Sequence, residues 1–413
     1  MTNTTPHPSS QADTAYLGLA PFLRMSIAGL DMQGLGQTML AQTNDQSDDA
    51  NLWMNLSILM QCLGQRDMGL VLQQQALALQ RTYHLPASVQ PARCRLLMLM
   101  QAGDLAANTP LECLLENSDI DLDLYYVTPG DPLALPLPEH DVLMVAMSES
   151  DDNHELLRTL EQRLCDWPKP VINAAQHLPA VGRDVASALL QTAPGVLMPP
   201  TLRSSRAELH AIATGVARLP ELFDGCDFPI ILRPVGSQAG RDLEKITGPD
   251  DVASYLSRVD ADAIYVSRFI DYSGADGYFR KIRVALIDGA PFVCHMAVSS
   301  NWMVHYVNAG MYEEAWKREE ELAFMDDFPH FVAQHQAALE AIYQRTQLDY
   351  VCIDCAQTPD GELLVFEIDH AMVVHAMDLE TQFPYKQVHM LKVKNAFRDY
   401  LFRLCAAQPL KDR

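Results

Sequence analysis

The chain has 413 residues, 48% of them hydrophobic and 20% charged, a globular composition with room for two or three domains. Its 30 basic residues stand against 53 acidic ones, a formal net charge of −23, so its surface repels phosphate backbones and nucleic acid is excluded as a main partner. No run of about 18 apolar residues marks a membrane span. Residues 1–13 lack the basic and apolar regions of a secretory signal, so a cytoplasmic protein with reduced thiols is the expectation.

Residues 1–45 are polar, carry Gly29, Gly34 and Gly36, and read as a tail plus a short helix. Between 51 and 85 apolar residues recur at helical spacing on either side of Gly64, which predicts a helix–turn–helix pair. Trp53, Leu56, Met60, Gly64 and Ala76 give the pair the look of one tetratricopeptide unit. A lone unit cannot bury its own face. It either covers the next domain or presents a platform to a peptide.

Strands are predicted at 122–127, 141–147 and 170–172, with helices near 152–165 and 184–191. Apolar strands between helices argue an open α/β domain, placed at 91–199 and ending at Pro199-Pro200. After a helix at 203–216 the texture changes. Strands follow at 229–233, 243–246, 263–269, 279–287 and 291–298, the last two joined by an Asp288-Gly289 turn. The acidic stretch 313–327 reads as a mobile insertion and 331–345 as a helix. Strands at 351–357 and 363–369 flank Asp360-Gly361, and 388–404 closes the chain as a helix. Adjacent strands with segregated helices give an α+β pattern for 200–413.

The last hairpin carries the sharpest chemistry. With a two-residue Asp360-Gly361 turn, Asp354 lies opposite Glu367, and Asp369 shares the Glu367 face. Like charges placed opposite each other destabilise a ladder. The flanking strands are too apolar for simple solvation. A hard divalent cation, Mg²⁺ or Mn²⁺, suits such an oxygen-only set.

Two further segments point to an anion. Arg233 ends an apolar strand, and Gly236, Ser237 and Gly240 after it can turn backbone N–H groups toward phosphate oxygens. Arg280, Lys281 and Arg283 place three cations within four residues of an acidic chain. Lys281 and Arg283 share one face, and Arg280 lies on the other. Residues 299–306 are polar and aromatic, and their role is left open between binding and packing, as are those of His295 and His305. The single CxxC, Cys352 to Cys355, sits in an apolar strand and reads as two structural thiols. The thirteen histidines show no zinc spacing.

Taken in order, Gly182-Arg183-Asp184, FPIILRPVGSQAG, IYVSRFID, FRKIRVALIDG and LDYVCIDC…GELLVFEID resemble the ATP-grasp superfamily, and in particular its RimK-type ligases. The resemblance spans about 171–404. It implies an ATP-grasp fold: an open α/β pre-ATP-grasp domain (91–199), two antiparallel α+β lobes that clamp ATP (200–413), and a small α-helical region in front (1–90). It implies an ADP-forming ligase that activates a carboxylate as an acylphosphate and joins it to an amine or thiol.

Carried over by position, Arg183 and Arg233 match nucleotide-phosphate contacts, and Gly236, Ser237 and Gly240 match the lid loop. Ser267, Arg268, Phe269 and Ile270 match the adenine-holding hinge. Arg283 matches an arginine near the transferred phosphate, with Arg280 and Lys281 beside it as catalytic candidates. Asp354, Glu367 and Asp369 match the metal ligands. Two positions depart from the family pattern: Arg233 stands where Lys is usual, and Asp369 where Asn is usual. Arg keeps the charge but changes donor geometry. The implied cofactors are ATP and Mg²⁺ or Mn²⁺; the implied partners are small-molecule or peptide carboxylates and amines. A homodimer and a peptide partner for the N-terminal helices stay open. So do two other functions: a non-catalytic nucleotide-binding or interaction protein, and an ATP-dependent phosphotransferase.

Overall fold

A computed structural model describes residues 14–224, 226–237 and 240–407. The N-terminal layer holds α1 (Leu19–Ile27), α2 (Met32–Gln42), α3 (Ala50–Cys62) and α4 (Arg66–Leu79). The Asp49 carboxylate caps α3 by accepting the Leu52 N–H at 3.0 Å. The predicted helix pair is therefore present. Its inner member, α3, is enclosed: Leu52, Met54, Leu56, Ile58, Leu59 and Met60 are all buried. The four helices act as a cover over the domain that follows. The expected pair overran its end, because Thr82–Leu85 is an edge strand, β1.

Next come β2 (Cys94–Met100), α5 (Leu111–Leu114), β3 (Ile120–Tyr126), β4 (Val142–Val145), α6 (His154–Leu164), β5 (Val171–Ile172) and α7 (Arg183–Leu190). These strands form a sheet in the order β1-β3-β2-β4-β5, parallel except at β1. The central strand β2 has no counterpart among the expected elements. Its side chains alternate between two cores: Leu96, Met98 and Met100 face the N-terminal helices, while Leu97 and Leu99 face α6 and α7. Burial on both faces is the condition of a parallel sheet.

The remaining elements are β6 (Val196–Leu197), β7 (Thr201–Ser205), α8 (Arg206–Ala213), α9 (Leu219–Leu222), β8 (Ile230–Pro234), β9 (Glu244–Ile246), α10 (Pro249–Arg258), β10 (Ala263–Arg268), β11 (Phe279–Ile287), β12 (Ala290–Ser299), α11 (Ala315–Asp326), α12 (Phe328–Gln334), α13 (Gln336–Thr346), β13 (Tyr350–Gln357), β14 (Leu363–Asp369) and α14 (Lys386–Ala406). They build a four-stranded sheet, β7-β10-β8-β9, and a five-stranded one, β12-β11-β13-β14-β6. The class is mixed α/β and α+β, as expected. The small sheet has its own core with α8 and α10, built on Leu209, Ile212, Tyr255, Ile264 and Val266.

Two expectations are corrected here, and one unassigned stretch takes form. The helix expected from 203 starts at Arg206, after the strand β7, where Ser205 and Glu208 form a capping box. Residues 249–258, unassigned between the predicted strands at 243–246 and 263–269, form α10, with Pro249 in its first turn. The stretch 313–327 is no loose insertion. It forms α11, which buries Lys317, Glu321 and Met325 along one stripe. Glu321 accepts hydrogen bonds from Tyr306 at 2.8 Å and Tyr385 at 2.6 Å, which is how a charged helix is held in the interior.

Candidate functional site

Between the four-stranded sheet and the β11–β13–β14 face lies a cleft of about 440 Å³. Twelve of the fifteen residues singled out in the sequence line it: Arg183, Arg233, Gly240, Ser267, Arg268, Phe269, Ile270, Lys281, Arg283, Asp354, Glu367 and Asp369. Five are basic and three are carboxylates. The cleft is thus positive in a chain that is strongly negative.

Sheet register sets the charged wall. His295, Arg283, Asp354 and Glu367 lie in one row across β12, β11, β13 and β14. Each outer strand has a bulge at that row, with Cys294 extra on β12 and Phe366 extra on β14. Bulges re-aim side chains where pairing is interrupted. The turn that joins β13 to β14 is not the expected one. The Thr358 N–H bonds Glu362 O and the Gly361 N–H bonds Thr358 O, with Gly361 at φ +84°. This is a three-residue loop over Pro359, Asp360 and Gly361. It shifts the register by one residue, and the Phe366 bulge shifts it back, so Asp354 still faces Glu367.

Cations saturate Asp354. Its carboxylate takes Lys281 Nζ at 2.7 Å, Arg283 Nε at 2.8 Å and Arg283 Nη2 at 3.0 Å. Burial alone would push this carboxyl up. Arg283 and Lys281 override that and hold it far below the ordinary carboxylate range. Glu367 pairs with Arg183 and lies 3.8 Å from Arg233 Nη1. It too titrates low: burial opposes ionisation, but Arg183, Lys281 and Arg233 together outweigh it. Asp369 differs. Burial raises its pKa, and the neighbouring Glu367 adds to the rise. Its Oδ1 accepts the Ala371 N–H at 2.9 Å.

Arg233 is buried and braces the glycine loop. Its Nε donates to Ser237 Oγ at 3.0 Å, and its Nη2 donates to the Ser237 carbonyl. Burial, with Arg183 close by, lowers its pKa to about 10. Gly236 and Gly240 take φ values of +76° and +71°, a backbone region that glycine enters freely. Gly240 also packs on His305: a Cβ there would come within 2.5 Å of His305 Nε2.

Aromatic side chains line the same cleft. Phe269 meets Trp302 edge-on at 5.6 Å, and Lys245 Nζ sits 3.7 Å over the Phe269 ring. Tyr272 packs against Phe366 at 4.9 Å. Trp302, Met303 and His305, left open between binding and packing in the sequence, line the cleft. No motif announced them. Their aromatic content beyond a strand end was the available signal.

Three predicted residues lie off the cleft wall: Gly236, Ser237 and Arg280. Of the first two, Ser237 is the residue that Arg233 bonds. Arg280 points to the other face, as its strand position requires. There it pairs with Asp276 at 2.6 Å and with Glu320. The metal set is also not brought together as drawn. Among the described residues, Asp354, Glu367 and Asp369 do not place three oxygens within 4.8 Å of one another. Their donor chemistry suits a hard cation, yet Asp354 is already satisfied. Glu367 and Asp369 fit such an ion better. Cys352 and Cys355 are buried free thiols, as read from the sequence.

No known family model matches the chain, and neither does any curated protein. It is similar to solved structures at low identity. One is the D-alanine–D-alanine ligase of Bacillus anthracis complexed with ATP (14% identity, TM-score 0.46, covering 77% of this chain and 100% of that one). A second is a RimK domain ATP-grasp protein of Sphaerobacter thermophilus (15%, 0.44, 74% and 99%). A third is the VanG D-Ala:D-Ser ligase of Enterococcus faecalis (13%, 0.44, 76% and 99%).

Proposed function

We propose that the chain is an ATP-dependent ligase of the ATP-grasp type, which activates a carboxylate as an acylphosphate and joins it to an amine. The observation that carries this reading is that one cleft is lined both by four buried or half-buried cations, Arg183, Arg233, Lys281 and Arg283, and by the rings of Tyr265, Phe269, Tyr272, Trp302 and Phe366. A polyanion attached to a planar base fits that combination. In this reading the hinge from Ser267 to Ile270 and the ring of Phe269 hold the base. Arg183 and Arg233 hold the phosphates, with Gly240 on the wall beside them. Lys281 and Arg283, oriented by Asp354, face the transferred phosphoryl group and the acid that receives it. A Mg²⁺ or Mn²⁺ ion held by Glu367 and Asp369 would neutralise charge building on the phosphates.

The test is ADP release from ATP with pooled carboxylic acids, with and without pooled amines. Release that requires both pools supports the ligase. Release with no acid present, to any acceptor, points to another phosphotransferase chemistry. A second reading, nucleotide binding without turnover, draws on one observation: both Asp354 oxygens already hold cations. Tight ATP binding with no ADP from any pool would select it.

A further inference from the structure

Cys94 opens β2, and Cys405 lies in the last turn of α14. They are 311 positions apart in sequence, yet their sulfurs approach to 3.3 Å. Cys94 is buried, Cys405 is half-buried, and both are free thiols. Asp141 stands beside them, so that three ligand atoms gather within 4.8 Å. Two occupants fit such a cluster, a metal ion or a covalent bond between the sulfurs. Two thiolates on a tetrahedral zinc sit about 3.8 Å apart, from Zn–S bonds of about 2.3 Å. The observed approach is already closer than that. Asp141 also has a backbone duty, since its Oδ2 accepts the Arg95 N–H at 2.8 Å.

We propose that Cys94 and Cys405 form a reversible disulfide that ties the C-terminal helix to the first residue of the central parallel strand. The bond would close the end of α14, whose Val393, Phe397 and Leu401 sit in the same core as Leu96 and Met98.

The chemistry distinguishes this pair from six of the other cysteines. The hydrogen bond between the two sulfurs lowers the Cys405 pKa and raises that of Cys94. Burial pushes up the thiols of Cys113, Cys226, Cys294, Cys352 and Cys355, and that of Cys62 to about 11. Cys405 is thus the attacking thiolate. With a small-molecule disulfide such as oxidised glutathione as oxidant, the Cys405 thiolate attacks one sulfur and expels one thiolate. Cys94 then loses its proton and attacks Cys405 Sγ. It forms the internal bond and releases the second thiol. One external disulfide is reduced, two protein thiols are oxidised, and a reducing thiol reverses the exchange.

The experiment treats the full chain with oxidised glutathione, alkylates what remains, and maps the peptides by mass spectrometry without reduction. The expected product is a linked Cys94–Cys405 peptide, two hydrogens lighter than its parts, which dithiothreitol abolishes and Cys405→Ser never forms. Amide exchange in the last turn of α14 is expected to slow on oxidation in the wild type alone. Ser at this half-buried position keeps the fold, which circular dichroism checks. Three results overturn the proposal: both cysteines recovered singly alkylated, a glutathione adduct that persists on Cys405, or a bond from either residue to a different cysteine. Equilibrium dialysis against Zn²⁺ supplies the other arm. One zinc retained per wild-type chain and lost in Cys405→Ser assigns the cluster to a metal and likewise overturns it.

Discussion

Arg283 and Asp354 sit directly opposite each other on β11 and β13, and the bulges on both outer strands fall at their row. The pair is the fixed point of the charged wall. Arg283 binds Asp354 through two nitrogens and also donates to Val373 O at 3.1 Å. It thereby ties the segment after β14 to β11.

Removing the Asp354 charge will therefore affect stability as well as function. Asp354→Asn leaves the half-buried Lys281 and Arg283 without the buried counter-charge that both hold. Breaking a buried ion pair from one side costs about 3–5 kcal/mol. Glu367 is 25% exposed at its side chain, so Glu367→Gln costs far less. Urea unfolding of the two variants checks this order. An Asp354→Asn chain as stable as wild type contradicts it.

Arg233→Lys separates charge from shape. A lysine keeps the positive charge but cannot bond both Ser237 Oγ and its carbonyl. Hydrogen bonds to charged groups are worth about 1.5–3 kcal/mol each. The expected result is weaker ATP binding by one to two orders of magnitude, with an unchanged circular dichroism spectrum. Wild-type affinity in Arg233→Lys shows that the brace is irrelevant.

Gly240 and His305 are predicted to be coupled. Gly240→Ala places a methyl against the imidazole at a left-handed backbone position, which costs about 1–2 kcal/mol from conformation alone. His305→Ala in the same chain relieves the contact but not the backbone strain. Nucleotide affinity in the double variant is expected to recover partway, and a double-mutant cycle measures the coupling. Additive effects remove His305 from the account of the loop.

Glu112 predicts a pH effect far from the cleft. Its Oε2 is buried and has no hydrogen-bond partner among the described residues. Burial raises its pKa in the folded chain. A carboxyl with a raised folded pKa contributes its full stability below its unfolded pKa, and that contribution is lost as pH rises through the folded one. Glu112→Gln removes the ionisation. At pH 8 it is expected to be more stable than wild type, by about 1–3 kcal/mol, and the gap closes toward pH 4. Melting curves across that range check the sign.

Much of the site was legible because it rests on strands whose alternation shows in the sequence. Asp354, Glu367 and Asp369 stand out against apolar neighbours, and Arg283 and Lys281 share a parity that Arg280 lacks. The turn was misread because Asp360-Gly361 also suits a longer loop begun by Pro359, and a bulge has no sequence mark of its own. The strand β2 was missed because Leu and Met, its main residues, favour helices in isolation. Burial on two faces decided otherwise. The helix α11 was missed because its buried stripe holds Lys317 and Glu321, with Met325 as its one apolar member, so hydrophobic periodicity had little to register.

The most direct measurement is calorimetric titration of ATP into wild type and Glu367→Gln, each with and without Mg²⁺. The account predicts binding to wild type that tightens with Mg²⁺, and binding to a folded Glu367→Gln chain that no longer responds to the ion. A folded wild type that takes up no ATP under either condition would contradict it.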